Sequence, residues 1–126
     1  MTVRRGEIYW VEFSPVKGSE QGGIRPALVV QNNVGNRYSP TTVVVAVTRT
    51  IPPKPFPFLV VVEPAESGLP ARSAINCAQM AMIHQTGSES QLRASRGQTV
   101  VQPIGQLNTA KMREVEKAIQ FNLGIK

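Results

Sequence analysis

Apolar residues recur along this chain at two different periods, and the change from one to the other organises it. Gly6 to Phe13 ("GEIYWVEF") is dense in aromatic and β-branched residues, the composition that fits a pleated, half-buried strand. A polar, glycine-containing stretch, 14–24, follows as a loop. Pro26 to Asn32 reads as a second strand, with proline tolerated at its first position. "NNVGNRYSP" is punctuation. "TTVVVAVT", Thr41 to Thr48, is the clearest strand, with four valines and three threonines in eight residues. Four prolines in "RTIPPKPFP" make 49–57 a stiff, exposed loop. "FLVVVE" is the next strand, followed by a turn around Gly68 and Pro70. Residues 73–84 ("SAINCAQMAMIH") carry helix-favouring Ala and Met in a strand context, and are assigned as strand.

The period then lengthens. Leu107, Met112, Val115, Ile119 and Leu123 fall at helical spacing, with Asn108 suited to cap the N-terminus and Gly124 to occupy the position just past the C-terminus. About four turns of amphipathic helix are expected there. About five short, mostly sequential strands and a terminal helix predict a mainly β, α+β fold, a small bent antiparallel sheet or barrel with the helix against it. At 126 residues the expectation is one domain, 1–126. No apolar run reaches the roughly 20 residues that span a bilayer. No apolar stretch follows the two N-terminal arginines, so no signal peptide is expected and the cytoplasm is the expected compartment.

Charge changes this picture more than composition does. Fourteen Lys and Arg against eight acidic residues, all Glu, give a net charge of +6. The excess divides evenly between the two halves and forms no tail, which favours a polyanion met by the folded surface. One His and one Cys cannot build a structural zinc site, and without Asp a two-metal carboxylate site would need scattered glutamates to converge. No metal or other cofactor is implied. Catalysis would fall to Arg, Glu, Ser, Thr, Tyr or the lone His84. Cys77, in an apolar neighbourhood, reads as a small core residue, and His84 as an ordinary half-buried histidine.

One stretch resists a purely architectural explanation. In "GSEQGGIRPALVVQN", Arg25 stands between a Gly-Gly loop and residues that read as core. Proline holds the residue before it in extended geometry, so Arg25 leaves the backbone in a defined direction at the start of a strand. Gly22 and Gly23 allow backbone to approach a ligand closely. A guanidinium matches phosphate as a bidentate fork. Together these describe a preorganised anion site; the alternative is a turn whose arginine pairs with Glu20 or Glu12. Thr48 is open in the same way, since Thr41 and Thr42 are strand threonines without any such role.

The blocks "RRGEIYWVEFSPVKGSEQGGIRPALVVQN", "NRYSPTTVVVAVT", "KPFPFLVV" and "GQLNTAKMREVEKAIQFNLGI" resemble, in order and spacing, the MazF/PemK family of toxin endoribonucleases. The agreement is weaker over 64–100. The resemblance implies an SH3-like barrel of the CcdB/PemK kind, a homodimer inhibited by a cognate antitoxin protein, and metal-independent cleavage of single-stranded RNA. It implies catalytic roles for Arg25 and Thr48, and places Glu20 and Gln21 on a loop over the substrate. Ser19, Gln21, Gly22 and Gly23 then become substrate-binding candidates. Arg49 and Lys54 are candidates to track the RNA backbone, as is Arg37, and Phe56 to stack on a base. Glu20 is the candidate general base, because arginine's pKa above about 12 suits charge stabilisation better than proton abstraction. Two rivals remain on sequence alone: a CcdB-like toxin that binds gyrase without catalysis, and a non-enzymatic nucleic-acid-binding barrel.

Overall fold

The computed structural model describes residues 2–13 and 23–126. Among these residues seven strands and three α-helices follow one another as β1 (Glu7–Phe13), β2 (Gly23–Val29), α1 (Asn33–Tyr38), β3 (Thr41–Thr48), β4 (Leu59–Val62), α2 (Pro64–Ser67), β5 (Ser73–His84), β6 (Leu92–Arg93), β7 (Gly105–Gln106) and α3 (Thr109–Leu123), with a 3-10 turn at Gly87–Glu89. The strands form one antiparallel sheet in the order β4-β5-β3-β2-β1-β6, with β7 also paired to β1. That path does not close, so the barrel is a strongly bent sheet.

Both faces of the sheet are covered, which is why its strands read as unbroken apolar runs rather than alternating ones. On one face Ile8, Leu28, Val45, Val47 and Ile75 pack with Met112, Val115 and Ala118 of α3. On the other, Tyr9, Val11, Ala27, Val29 and Val44 pack beneath Val3 and Leu92. α3 matches its sequence prediction closely: the Asn108 side chain accepts from Lys111 N–H, and Gly124 ends the helix at φ 70°.

Three features depart from the sequence reading. β2 begins at Gly23, so Arg25 and Pro26 lie inside the strand rather than at its start. Proline is accommodated because β2 at that point pairs only with β1 (Trp10↔Pro26), while pairing with β3 starts at Ala27. The "NNVGNRYSP" punctuation contains helix α1, capped by the Asn32 side chain. The expected turn near Gly68 is preceded by α2, one turn of helix ended by Gly68 at φ 79°. The 73–84 segment is a strand as assigned, twelve residues long, with an irregularity. Val45 pairs with Met80 but Ala46 pairs with Asn76, so residues 77–79 have no partner on β3 and the strand bends there.

Candidate active site

The β2–β3 register is Val29↔Val44, Leu28↔Val45 and Ala27↔Ala46. Two residues further, past the last formal pair, the same register sets Arg25 beside Thr48. Both are half-buried. They line one cleft of about 350 Å³, together with Arg49, Trp10, Pro70 and Ser73. The Thr48 hydroxyl oxygen accepts a hydrogen bond from Thr50 N–H at 3.1 Å. A hydroxyl has one proton to give, and with an acceptor position already filled that proton is the group left to donate.

Arg25 also lines a second hollow of about 480 Å³, whose wall includes Phe13, Gln79, Met80, His84 and Gln91. Among the described residues Arg25 is the one common to both. Opposite Val11 on β1, it stands between two concavities at one end of the sheet. The β5 irregularity supplies part of the second wall: three extra residues carry Gln79 and Met80 to its rim. Met80 and Met82 are exposed there, and so is Ile24 of β2.

The sequence-predicted residues separate into three groups. Arg25, Thr48 and Arg49 come together in one cleft. Gly23 is the first residue of β2, with φ 95°, a conformation for glycine; among the described residues no atom would obstruct a Cβ, which leaves the backbone angle as the requirement they show. Ser19, Glu20, Gln21 and Gly22 lie outside the described residues. Lys54 and Phe56 sit exposed on the proline-rich loop and line neither cleft; the Phe56 ring stacks on Phe58, centroids 5.2 Å apart. Of the partners named in the architectural alternative, Glu12 accepts from Arg93 Nε at 3.0 Å, and Glu20 lies outside the described residues.

Trp10, Pro70 and Ser73 were not singled out from the sequence. Their signal was weak: each reads as an ordinary strand or turn residue, and only the fold brings them to Arg25. The wall they form is fixed by an unusually close approach. A Cβ on Gly105 would collide with the carbonyl oxygen of Ser67, and one on Gly68 with that of Ile104. Two glycines therefore let the end of α2 lie against β7, which sets the position of Leu69, Pro70 and Ala71 in the cleft.

Of the remaining candidates, Cys77 is fully buried, and burial pushes its thiol up to about 11. His84 is half-buried on β5, with Nδ1 3.8 Å from Glu89. Among the described residues no group of three His, Cys, Asp or Glu could hold a metal ion, and no helix is long and apolar enough to cross a membrane.

Comparison with known proteins gives the family. The chain is 36% identical over 125 residues to endoribonuclease EndoA of Bacillus subtilis, covering 99% of this chain and 97% of that one. It is 37% identical over 123 residues to endoribonuclease MazF of Staphylococcus saprophyticus, covering 98% and 92%. Its fold matches that of a mycobacterial endoribonuclease solved in complex with its cognate antitoxin, with a TM-score of 0.71 at 21% identity over 98% of this chain and 97% of that one. A family profile matches residues 4–123, and the chain belongs to the PemK-like, MazF-like toxins of type II toxin–antitoxin systems.

Proposed function

We propose that this toxin is an endoribonuclease that cleaves single-stranded RNA by internal attack of a 2′-hydroxyl on the adjacent phosphate, without a metal ion. The observation that carries this reading is the convergence of Arg25 and Thr48, from two strands, on one cleft. In the reaction the 2′-oxygen forms a bond to phosphorus as the bond to the 5′-oxygen breaks. The products are a 2′,3′-cyclic phosphate and a 5′-hydroxyl. The protein must align these atoms, stabilise charge on the phosphoryl oxygens, take one proton and give one. The Arg25 guanidinium and the Thr48 hydroxyl stabilise the phosphoryl oxygens, the electrostatic contribution that is often the largest in such sites. Arg49, exposed on the same cleft, holds a neighbouring phosphate. Glu20 takes the 2′-hydroxyl proton; a Glu20→Gln variant that cleaves normally from pH 5 to 9 would remove it from that role.

The protein acts in the cytoplasm as a homodimer. The exposed methionines of β5 and Ile24 are apolar surface for such contact. A cognate antitoxin opposes it, and an acidic or amphipathic antitoxin segment suits the basic surface and competes with RNA.

The deciding experiment is a gel run in excess EDTA. Wild-type protein and Arg25→Ala each meet a long single-stranded RNA and a copy with 2′-deoxy sugars throughout. Discrete fragments are expected from the RNA alone, with a loss of about 10²–10³ in rate for the variant. Intact RNA with wild-type protein would overturn the reading, and gyrase would be the next target assayed.

A further inference from the structure

A second surface, at the other end of the same strands, has the chemistry of a nucleic-acid contact. A groove of about 540 Å³ is bordered by Arg4, Asn33, Val34, Arg37 and Tyr38, and no acidic residue among those described lines it. Arg4 and Arg37 are both exposed, and neither makes an ion pair among the described residues. Tyr38 is 77% exposed, with the Arg37 guanidinium 5.6 Å from its ring centroid. An arginine over an exposed aromatic offers two flat groups, one of them cationic, which is how single-stranded RNA bases are stacked.

The support beneath this surface is more rigid than α1 explains by itself. Six residues with a central glycine make a poor helix. It is held by a buried polar network. The Asn36 Oδ1 accepts from Thr42 Oγ1 at 2.6 Å, and its Nδ2 donates to the Gln31 carbonyl at 3.0 Å. Fully buried Gln85, just past the end of β5, donates to the Asn36 carbonyl and accepts from Val3 N–H. The N-terminal segment, α1 and β5 are thereby tied together, and the outward side chains are carried on a fixed base.

We propose that this groove is a distal RNA-binding site of the endoribonuclease, which holds substrate beyond the cleavage point. It rests on the nuclease reading above. β3 runs between the two sites, from Thr41 near α1 to Thr48 in the cleft, roughly 20–25 Å. Only RNA extending several nucleotides past the reacting phosphate reaches it, so the groove contributes to KM on long RNA and leaves the chemical step untouched.

The test compares an oligonucleotide covering only the cleavage site with the same sequence extended on both sides. An Arg4→Ala, Arg37→Ala, Tyr38→Ala variant is expected to raise KM on the extended RNA about tenfold, with kcat unchanged and the short substrate unaffected. The salt dependence on the extended RNA should flatten by about one phosphate per lost arginine. Tyr38→Phe keeps the ring and should retain the wild-type KM, which separates stacking from damage to α1. Equal losses on both substrates, or none on either, would overturn the proposal, as would unchanged RNA kinetics with weakened binding of the cognate antitoxin. Cleavage of the short oligonucleotide by wild type tests the nuclease reading separately.

Discussion

Cys77 shows how a single side chain reports on its surroundings. It faces α3, with Sγ 3.9 Å from the Val115 carbonyl, and no water competes for its proton. Burial raises its pKa from 9.0 to about 11, because the thiolate is the form that loses solvation. Between those values the folded protein holds a proton that the unfolded chain has released, so stability falls as pH rises from about 9 to 11. The expected decline from this group is roughly 2–3 kcal/mol. Denaturant melts across that range should therefore slope less steeply for Cys77→Ala, whatever its offset from the lost packing; parallel slopes would assign the decline elsewhere. Its role as a core residue was legible in the sequence from its apolar neighbours. The role proposed for Thr48 was not. Three threonines punctuate one valine-rich strand, and periodicity treats them alike. What separates Thr48 is the register that sets it beside Arg25, and register depends on pairing partners remote in sequence. Family resemblance proposes that role where residue-level reasoning left it open.

Elements with strong internal patterns were legible, and those made by their neighbours were not. α3 carries a helical period and both caps in its own residues, so its bounds follow from the sequence. β6 and β7 are two residues each and exist because β1 offers them hydrogen bonds. β2 starts three residues before Pro26 for the same reason, since β1 pairs with it as far as Gly23. The contact of α2 with β7 tests this dependence on neighbours. Gly105→Ala puts a methyl group against the Ser67 carbonyl, and backbone cannot yield as a flexible side chain does. A loss of about 1–3 kcal/mol is expected. Because Leu69 to Ala71 move with α2, RNA cleavage should fall further than the folded fraction does, measured as activity per folded molecule below the melting transition. Lost stability with full activity per folded molecule would show that this wall does not shape the cleft.

Across the whole molecule the charge has a direction that the net value of +6 conceals. Every described glutamate is engaged: Glu12 with Arg93, Glu63 with Arg72, Glu116 with Arg5, Glu66 and Glu114 with Lys111, Glu89 near His84, and Glu7 accepting from Tyr9 Oη. Arg4, Arg37 and Arg49 have no such partner among the described residues, and they border the cleft and the distal groove. Arg113 and Lys117 of α3 are also exposed, as are Lys54, Arg96 and Lys126, but none of these lines the cleft or the distal groove. Binding driven by net charge would respond equally to the loss of either set. Binding through built sites would not. Four phosphates held by Arg25, Arg49, Arg4 and Arg37 give a slope of log affinity against log salt of about −3 for a single strand. Titrating a non-cleavable 2′-deoxy strand by fluorescence anisotropy should return that slope for wild type and for Arg113→Ala, Lys117→Ala. Arg49→Ala, Arg37→Ala should lower it by about 1.4, two phosphates' worth of released counterions. Equal flattening in both double variants would mean that the whole basic surface, rather than these two sites, draws the RNA.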